Sequence, residues 1–325
     1  MKHADHAIAL AHELGLIVNF DARERRVDSD ALARGVERGT HLRLVPGVFV
    51  EAAVWNAADR FTRFRMRFLA VATTMEPDVV FSHLTAATCL GLPVLGELPD
   101  RIDVTIPPST GGRSSGNVRR HAAVLSDQEI IRVGGFLVTS PARTVADIAR
   151  SESFTRAVAT ADAALRIKRK PSPLLTLDEF AQVVELDRNR YGAAKLRRVA
   201  AFATTLSDSV RESESRCLIH LAGFPAPVLQ QEWRDHDGLV GYSDFWWPDH
   251  GLIGEYDGHI KYVKPEFMKG RTLSEVVEDE KRREDRMRAL GPRVTRWVTT
   301  DLTLARLTAH LTRAGLPLIR APRRA

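Results

Sequence analysis

Asp244, Glu255 and Asp257 fall within one short stretch, Gly241 to Lys261, GYSDFWWPDHGLIGEYDGHIK. Asp244 sits inside an apolar, aromatic-rich run, and Glu255 and Asp257 close the next one. Tyr242 to Trp247 reads as a strand, Pro248-Asp249-His250-Gly251 as turn chemistry and Leu252 to Tyr256 as a second strand. So short a turn makes the strands antiparallel neighbours and lets Asp244 and Glu255 lie near each other at adjacent strand ends. Two carboxylates in a half-buried place repel unless a cation sits between them. Hard oxygen ligands of this kind suit Mg2+, which keeps several waters and meets substrate phosphates. The same residues also read as turn formers and solvent-facing acids, so the flanking elements carry the weight.

Upstream, Glu212 to Gly223 is a helix pattern with acids in its first turn, where the helix dipole favours them, and a Gly stop. Downstream, Ser274 to Leu290 is a charged helix closed by Gly291-Pro292. Ser274, followed by Glu275 and Glu278, is a capped start, and Val276, Val277, Met287 and Leu290 form an apolar side. Arg293 to Val298 reads as another strand. The order is helix, strand, turn, strand, helix, strand.

At these residues the last third of the chain resembles the PD-(D/E)XK nuclease superfamily, in the branch related to very-short-patch-repair endonucleases. The matching positions are Glu214, Asp244-Phe245, Glu255-Tyr256-Asp257-Gly258, Glu280 with Arg283, Gly291 and Val294-Thr295-Arg296. The resemblance implies a restriction-endonuclease-like α/β domain with a central mixed sheet. Asp244 and Glu255 would hold Mg2+, Glu214 would assist through the metal's waters, and Arg283 would face nucleic acid. One departure matters. The superfamily's usual Glu-x-Lys is here Glu255-x-Asp257, with His259 and Lys261 following. The group that positions or deprotonates the attacking water is left open among Asp257, His259 and Lys261, and Lys261 also reads as a surface lysine.

At the other end, Ala7 to Gly15 is a helix with a Gly stop, and Asp28-Ser29-Asp30 caps a second helix, Ala31 to Arg38, ended by Gly39. His41 to Val50 alternates, turns at Pro46-Gly47 and runs on as a second strand. Helix, helix, hairpin is the order of a winged helix-turn-helix, whose second helix can enter the DNA major groove. Arg34, Arg38 and Arg43 are then the phosphate or base contacts, although solvated arginines on a small helical cap would look the same. The run Leu42-Arg43-Leu44-Val45-Pro46-Gly47-Val48-Phe49 resembles the N-terminal domain of AbiEi-type antitoxins, winged-helix proteins of type IV toxin–antitoxin systems. Phe49 stands where that motif has Tyr. The Thr139-Ser140-Pro141 run with Arg143, Thr144 and Asp147 resembles the same family. The resemblance implies an operator-binding autorepressor and a cognate toxin.

Between the two ends, Asp59 to Met75 reads as a helix with Phe61, Phe64, Phe68 and Leu69 inward. Ser82 opens a helix that ends at Gly91, and His83 reads as structural, since no second His or Cys has ligand spacing. Arg101 to Ile106, Val118 to His121 and Gly135 to Ser140 read as strands. Thr110 to Gly116 lacks the Lys-Ser/Thr ending of a phosphate-binding loop. The basic run Arg166 to Lys170 before Pro171-Ser172-Pro173 is the linker candidate. Two helices follow, Thr176 to Leu186 and Tyr191 to Thr204.

The sequence therefore predicts an α/β multidomain chain: a winged helix-turn-helix over 1–55, an α/β middle domain over 56–170, a helical linker over 171–205 and a nuclease-like domain over 206–325. At 325 residues there is length for several cores. The net charge of +6 is compatible with a nucleic-acid partner. Cys89 and Cys217 are too few and too far apart for a disulfide framework or a zinc cluster. No apolar run spans a bilayer and no signal pattern opens the chain, so the expectation is a cytoplasmic protein without a membrane partner. Two functions remain open: a Mg2+-dependent endonuclease, or an antitoxin-type regulator whose nuclease-like domain is only a binding scaffold.

Overall fold

The computed structural model describes residues 3–19, 29–108, 114, 116–167, 172–258 and 273–319. They form a mixed α/β chain with three sheets. The chain divides into two compact units, Met1–Ile148 and Ala149–Ala325.

The first unit opens with α1 (His3–Glu13), β1 (Leu16–Val18), α2 (Ser29–Glu37), β2 (His41–Val45) and β3 (Val48–Glu51). The hairpin at Pro46-Gly47 is present: β2 and β3 pair antiparallel, and Gly47 has φ +81°, a left-handed value that suits a residue without Cβ. β1 pairs along the other edge of β3, so the sheet order is β1-β3-β2. α2 approaches this sheet closely, because a Cβ at Gly35 would lie 2.5 Å from the ring of His41.

The same unit continues with α3 (Ala52–Ala57), α4 (Arg60–Ala72), β4 (Val80–Phe81), α5 (His83–Cys89), β5 (Ile102–Ile106), β6 (Val118–Ala122), β7 (Ile130–Val133) and β8 (Phe136–Thr139). α6 (Pro141–Ser151) follows and crosses the division between the units. The five strands run in the order β6-β5-β4-β8-β7, with β4–β8 and β5–β6 parallel and the other pairs antiparallel. Asp59 caps α4 by accepting from the backbone N–H groups of Phe61 and Thr62 at 2.8 and 2.9 Å. Phe64, Phe68 and Leu69 enter the core as their spacing predicts. Phe61 does not: it lies in the first turn of α4, 49% exposed, with the Arg60 guanidinium over its ring.

The second unit holds α7 (Phe154–Leu165), α8 (Leu177–Leu186), α9 (Ala193–Phe202), α10 (Val210–Ala222), β9 (Val228–Asp235), β10 (Gly238–Trp247), β11 (Leu252–Tyr256), α11 (Leu273–Ala289), β12 (Arg293–Trp297) and α12 (Leu304–Arg313). Its sheet runs β12-β11-β10-β9, antiparallel except for the parallel β11–β12 pair. The helices read over 171–205 lie within this second unit. α7 lies against α9 and α10, and its buried Asp162 accepts from Arg216 Nη2 of α10 at 2.8 and 3.1 Å. Lys168, Arg169, Lys170 and Pro171 of the expected linker lie outside the described residues. No described helix is long and apolar enough to cross a membrane.

Candidate functional site

The pairing of β10 with β11 sets the geometry of the acids. Phe245 faces Gly254, Trp246 faces Ile253 and Trp247 faces Leu252. One step further in this register, Asp244 stands opposite Glu255. Alternation divides the side chains between the two faces of the sheet. Phe245, Trp247, Leu252 and Trp297 share one buried cluster with Ile219 of α10 and Leu307 and Leu311 of α12. Ile253 and Val240 pack on Met287 of α11 over the other face. Gly254 has no side chain because a Cβ there would lie 2.7 to 2.9 Å from the Trp297 and Trp247 rings. The helix of acids and arginines read from Ser274 onward thus covers the face that carries Glu255.

Glu255 is only 7% exposed. Arg283 Nη2, from α11, donates to its Oε1 at 2.9 Å and its Oε2 at 3.1 Å. Arg296 Nη2, from the parallel neighbour β12, lies 2.9 Å from Oε2. Glu280 shares both arginines: Arg283 donates to it through Nε and Nη2 at 3.0 and 2.7 Å, and Arg296 Nη2 at 2.8 Å. Glu284 completes the group, 2.8 Å from Arg296 Nη2. Three carboxylates therefore share two guanidinium groups. Burial acts to lower the Arg283 pKa, but its hydrogen bond to Glu280 and the charges of Glu255 and Glu280 hold it well above the ordinary value. Arg296 is raised likewise, with burial opposing and the charges of Glu255, Glu284 and Glu280 prevailing.

Asp244 is half-buried, and its Oδ2 accepts the backbone N–H of Tyr256 at 2.9 Å. That bond ties the two strands at the point where the acids face each other. Glu214, on α10, accepts from Arg211 Nη1, one turn back, at 2.6 Å. Asp257 follows β11, with its N–H donating to Trp297 O at 2.9 Å. His259 and Lys261 lie outside the described residues. Arg283, read from the sequence as a nucleic-acid contact, is engaged by groups of the protein itself. Nε and Nη2 serve the two glutamates, and Nη1 donates to Tyr242 O at 3.1 Å.

Whether these residues suit Mg2+ follows from the donor set. Both Glu255 oxygens are already taken up by guanidinium groups, so its charge is compensated by Arg283 and Arg296. As held, Glu255 does not fit direct ligation of Mg2+. Among the described residues, three acid or imidazole side chains come within ligand reach of one another at Asp235, His236 and Asp237, where β9 turns into β10. Asp235 there is gripped by Arg286 at 2.7 and 2.6 Å, whose hydrogen bonds lower its carboxyl to about 2.

In the first unit, Arg34 lies on α2, Arg38 just beyond it and Arg43 on β2, all three exposed. His83 has a neighbour that spacing along the chain does not reveal. Its ring stacks on His121 of β6 with centroids 3.6 Å apart, and His121 Nε2 lies 2.8 Å from Oδ1 of the buried Asp103. The parallel pairing of β5 with β6 brings His121 near Asp103, and His83 follows Ser82, whose N–H donates to Asp103 O at 3.1 Å, so only the fold could disclose the group.

No family model matches the chain. It is similar to the uncharacterized protein MT2308 of Mycobacterium tuberculosis strain CDC 1551 / Oshkosh and to the uncharacterized protein Rv2248 of strain H37Rv. Each is 33% identical over 191 residues, a match covering 57% of this chain and 65% of the relative. The chain thus spans just under two thirds of the length of these relatives.

Proposed function

We propose that this chain is a DNA-binding regulator of the antitoxin type, which reads operator DNA with its N-terminal α–β–α–β–β element. The observation that carries this reading is the β1-β3-β2 order beside α2, with Arg34, Arg38 and Arg43 all exposed. A winged helix-turn-helix has this strand order, with a helix ahead of the hairpin that can lie in the major groove. Three exposed guanidinium groups on one small element suit phosphate contacts, which position a protein on the duplex. The net charge of +6 supports the same partner. A cognate toxin is part of the proposal through the resemblance to AbiEi-type antitoxins. The test is fluorescence anisotropy with DNA from immediately upstream of the protein's own reading frame. Arg34→Glu and Arg38→Glu are each expected to remove specific binding, and unchanged affinity in both overturns the reading.

A second reading is a phosphodiester hydrolase built on the C-terminal unit. It is favoured by the order α10, three antiparallel strands, α11 and a parallel fourth strand, with Asp244 and Glu255 on adjacent strands. That order suits a PD-(D/E)XK-like core. The two arginines on Glu255 favour the scaffold role instead, and no step through Mg2+ is drawn from this arrangement. Supercoiled and single-stranded DNA incubated with Mg2+ or Mn2+ separates the readings. Metal-dependent cleavage that disappears in both Asp244→Ala and Glu255→Ala establishes the hydrolase. Binding without cleavage leaves the regulator.

A further inference from the structure

A cavity of about 400 Å3 opens beside α4 in the first unit. Phe61, Phe64 and Phe68 of α4, Phe136 of β8, Leu10 of α1 and Cys89 at the end of α5 form much of its wall. Most of this wall is core: Phe64, Phe68 and Phe136 are each less than a tenth exposed, and the Phe68 and Phe136 rings meet edge to face at 4.9 Å. Phe61 is the exception, the half-exposed ring at the mouth. The Thr88 hydroxyl is turned away, donating to Thr85 O at 2.7 Å. Burial pushes the Cys89 thiol up to about 12, so it adds no charge. Among the described residues Arg65 is the single charged one on the lining.

Arg65 differs from its neighbours on α4. Arg60 donates to Gly96 O at 2.7 Å. Arg63 donates to Trp55 O and Asn56 O, both at 2.9 Å. Arg67 lies 3.3 Å from Asp100 and over the Trp55 ring. Among the described residues Arg65 has no hydrogen bond and no ion-pair partner. An apolar cavity of this size with one charged residue, the exposed Arg65, on its lining has the form of a small-molecule site. A guanidinium matches a carboxylate in plane and in charge.

We propose that this cavity binds a small amphiphilic carboxylate, with its apolar body among the phenylalanines and its charged head on Arg65. Its lining shares no residue with the arginines of the proposed DNA interface or with the acids of the second unit, and the proposal stands whichever function above is correct.

Isothermal titration of the full chain with octanoate, and in parallel with 1-octanol, tests both halves of the proposal. Wild type is expected to take up one octanoate per chain. Arg65→Gln is expected to weaken octanoate by roughly twofold to fivefold, the range for an exposed ion pair, and to leave 1-octanol unchanged. Phe61→Ala, at a half-exposed position that the core does not depend on, is expected to weaken both ligands. Absence of octanoate binding at millimolar concentration, several equivalent weak sites per chain, or equal octanoate affinity in wild type and Arg65→Gln would each overturn the proposal.

Discussion

A single nitrogen of Arg283 bridges both oxygens of Glu255, 2.9 Å from one and 3.1 Å from the other. The two residues come from α11 and β11, so this contact fastens a charged helix to the face of the sheet. Removing one partner of a buried pair leaves the other charge with less compensation than water would supply. Arg283→Met is expected to cost about 2–4 kcal/mol, somewhat under the range for fully buried pairs because the Arg283 side chain is 24% exposed and Arg296 remains. Adding Glu255→Gln to that variant is expected to restore more than half of the loss. Urea unfolding of the two single variants and the double variant measures the coupling. A cost below about 0.5 kcal/mol for Arg283→Met, the level of an ordinary surface change, would show that the network does not hold α11 in place.

Glu280 supplies a pH dependence whose sign can be worked out. Burial pushes its carboxyl up, but the hydrogen bond and charge of Arg283 and the charge of Arg296 prevail and hold it below its ordinary 4.5. A carboxyl depressed in the folded chain contributes stability that is complete above the unfolded value and is lost as pH falls through the folded one. Wild type is therefore expected to be more stable than Glu280→Gln at neutral pH. The gap is expected to close as the pH drops below 4.5. Chemical denaturation between neutral pH and pH 3 follows it, and a gap that is constant across that window contradicts the assignment.

Gly254 tests the packing beneath the acids. An added methyl meets the Trp297 and Trp247 rings at 2.7 to 2.9 Å, closer than Cβ contacts allow, and both rings are 1% exposed. Overpacking of this kind costs about 1–3 kcal/mol. Gly254→Ala is expected to lower the unfolding midpoint accordingly and to change the tryptophan emission. A variant as stable as wild type would mean that the two indoles can move apart.

Arg43 tests the proposed DNA interface through salt rather than affinity alone. A phosphate contact releases counterions, so its loss reduces the slope of log affinity against log salt by about 1 and weakens all sequences alike. Arg43→Ala is expected to behave in this way across a salt titration. An unchanged slope places Arg43 away from the phosphates.

The sequence was most informative where order is local. Alternation and turn chemistry are enough to place Leu252–Tyr256 and the Pro46-Gly47 hairpin, because strand faces and turn conformations depend on near neighbours. The helix read from Thr176 to Leu186 belongs with them: Leu177–Leu186 is helical, and Thr176 and Glu179 bond each other's backbone at its start. Leu16–Val18 is too short to show alternation, and Val228–Asp235 is a polar edge strand, so both became strands only through pairing with β3 and β10.

For the candidate site, the sequence by itself pointed to Asp244 and Glu255 on adjacent strands, since a turn as short as Pro248–His250 favours an antiparallel pair. Only the tertiary structure decided what neutralises Glu255. Its partners come from α11 and β12, and which charges meet depends on how Met287 seats on Ile253 and how β12 aligns with β11. Coulomb interactions act through space, and the distances that set them are products of packing rather than of position along the chain.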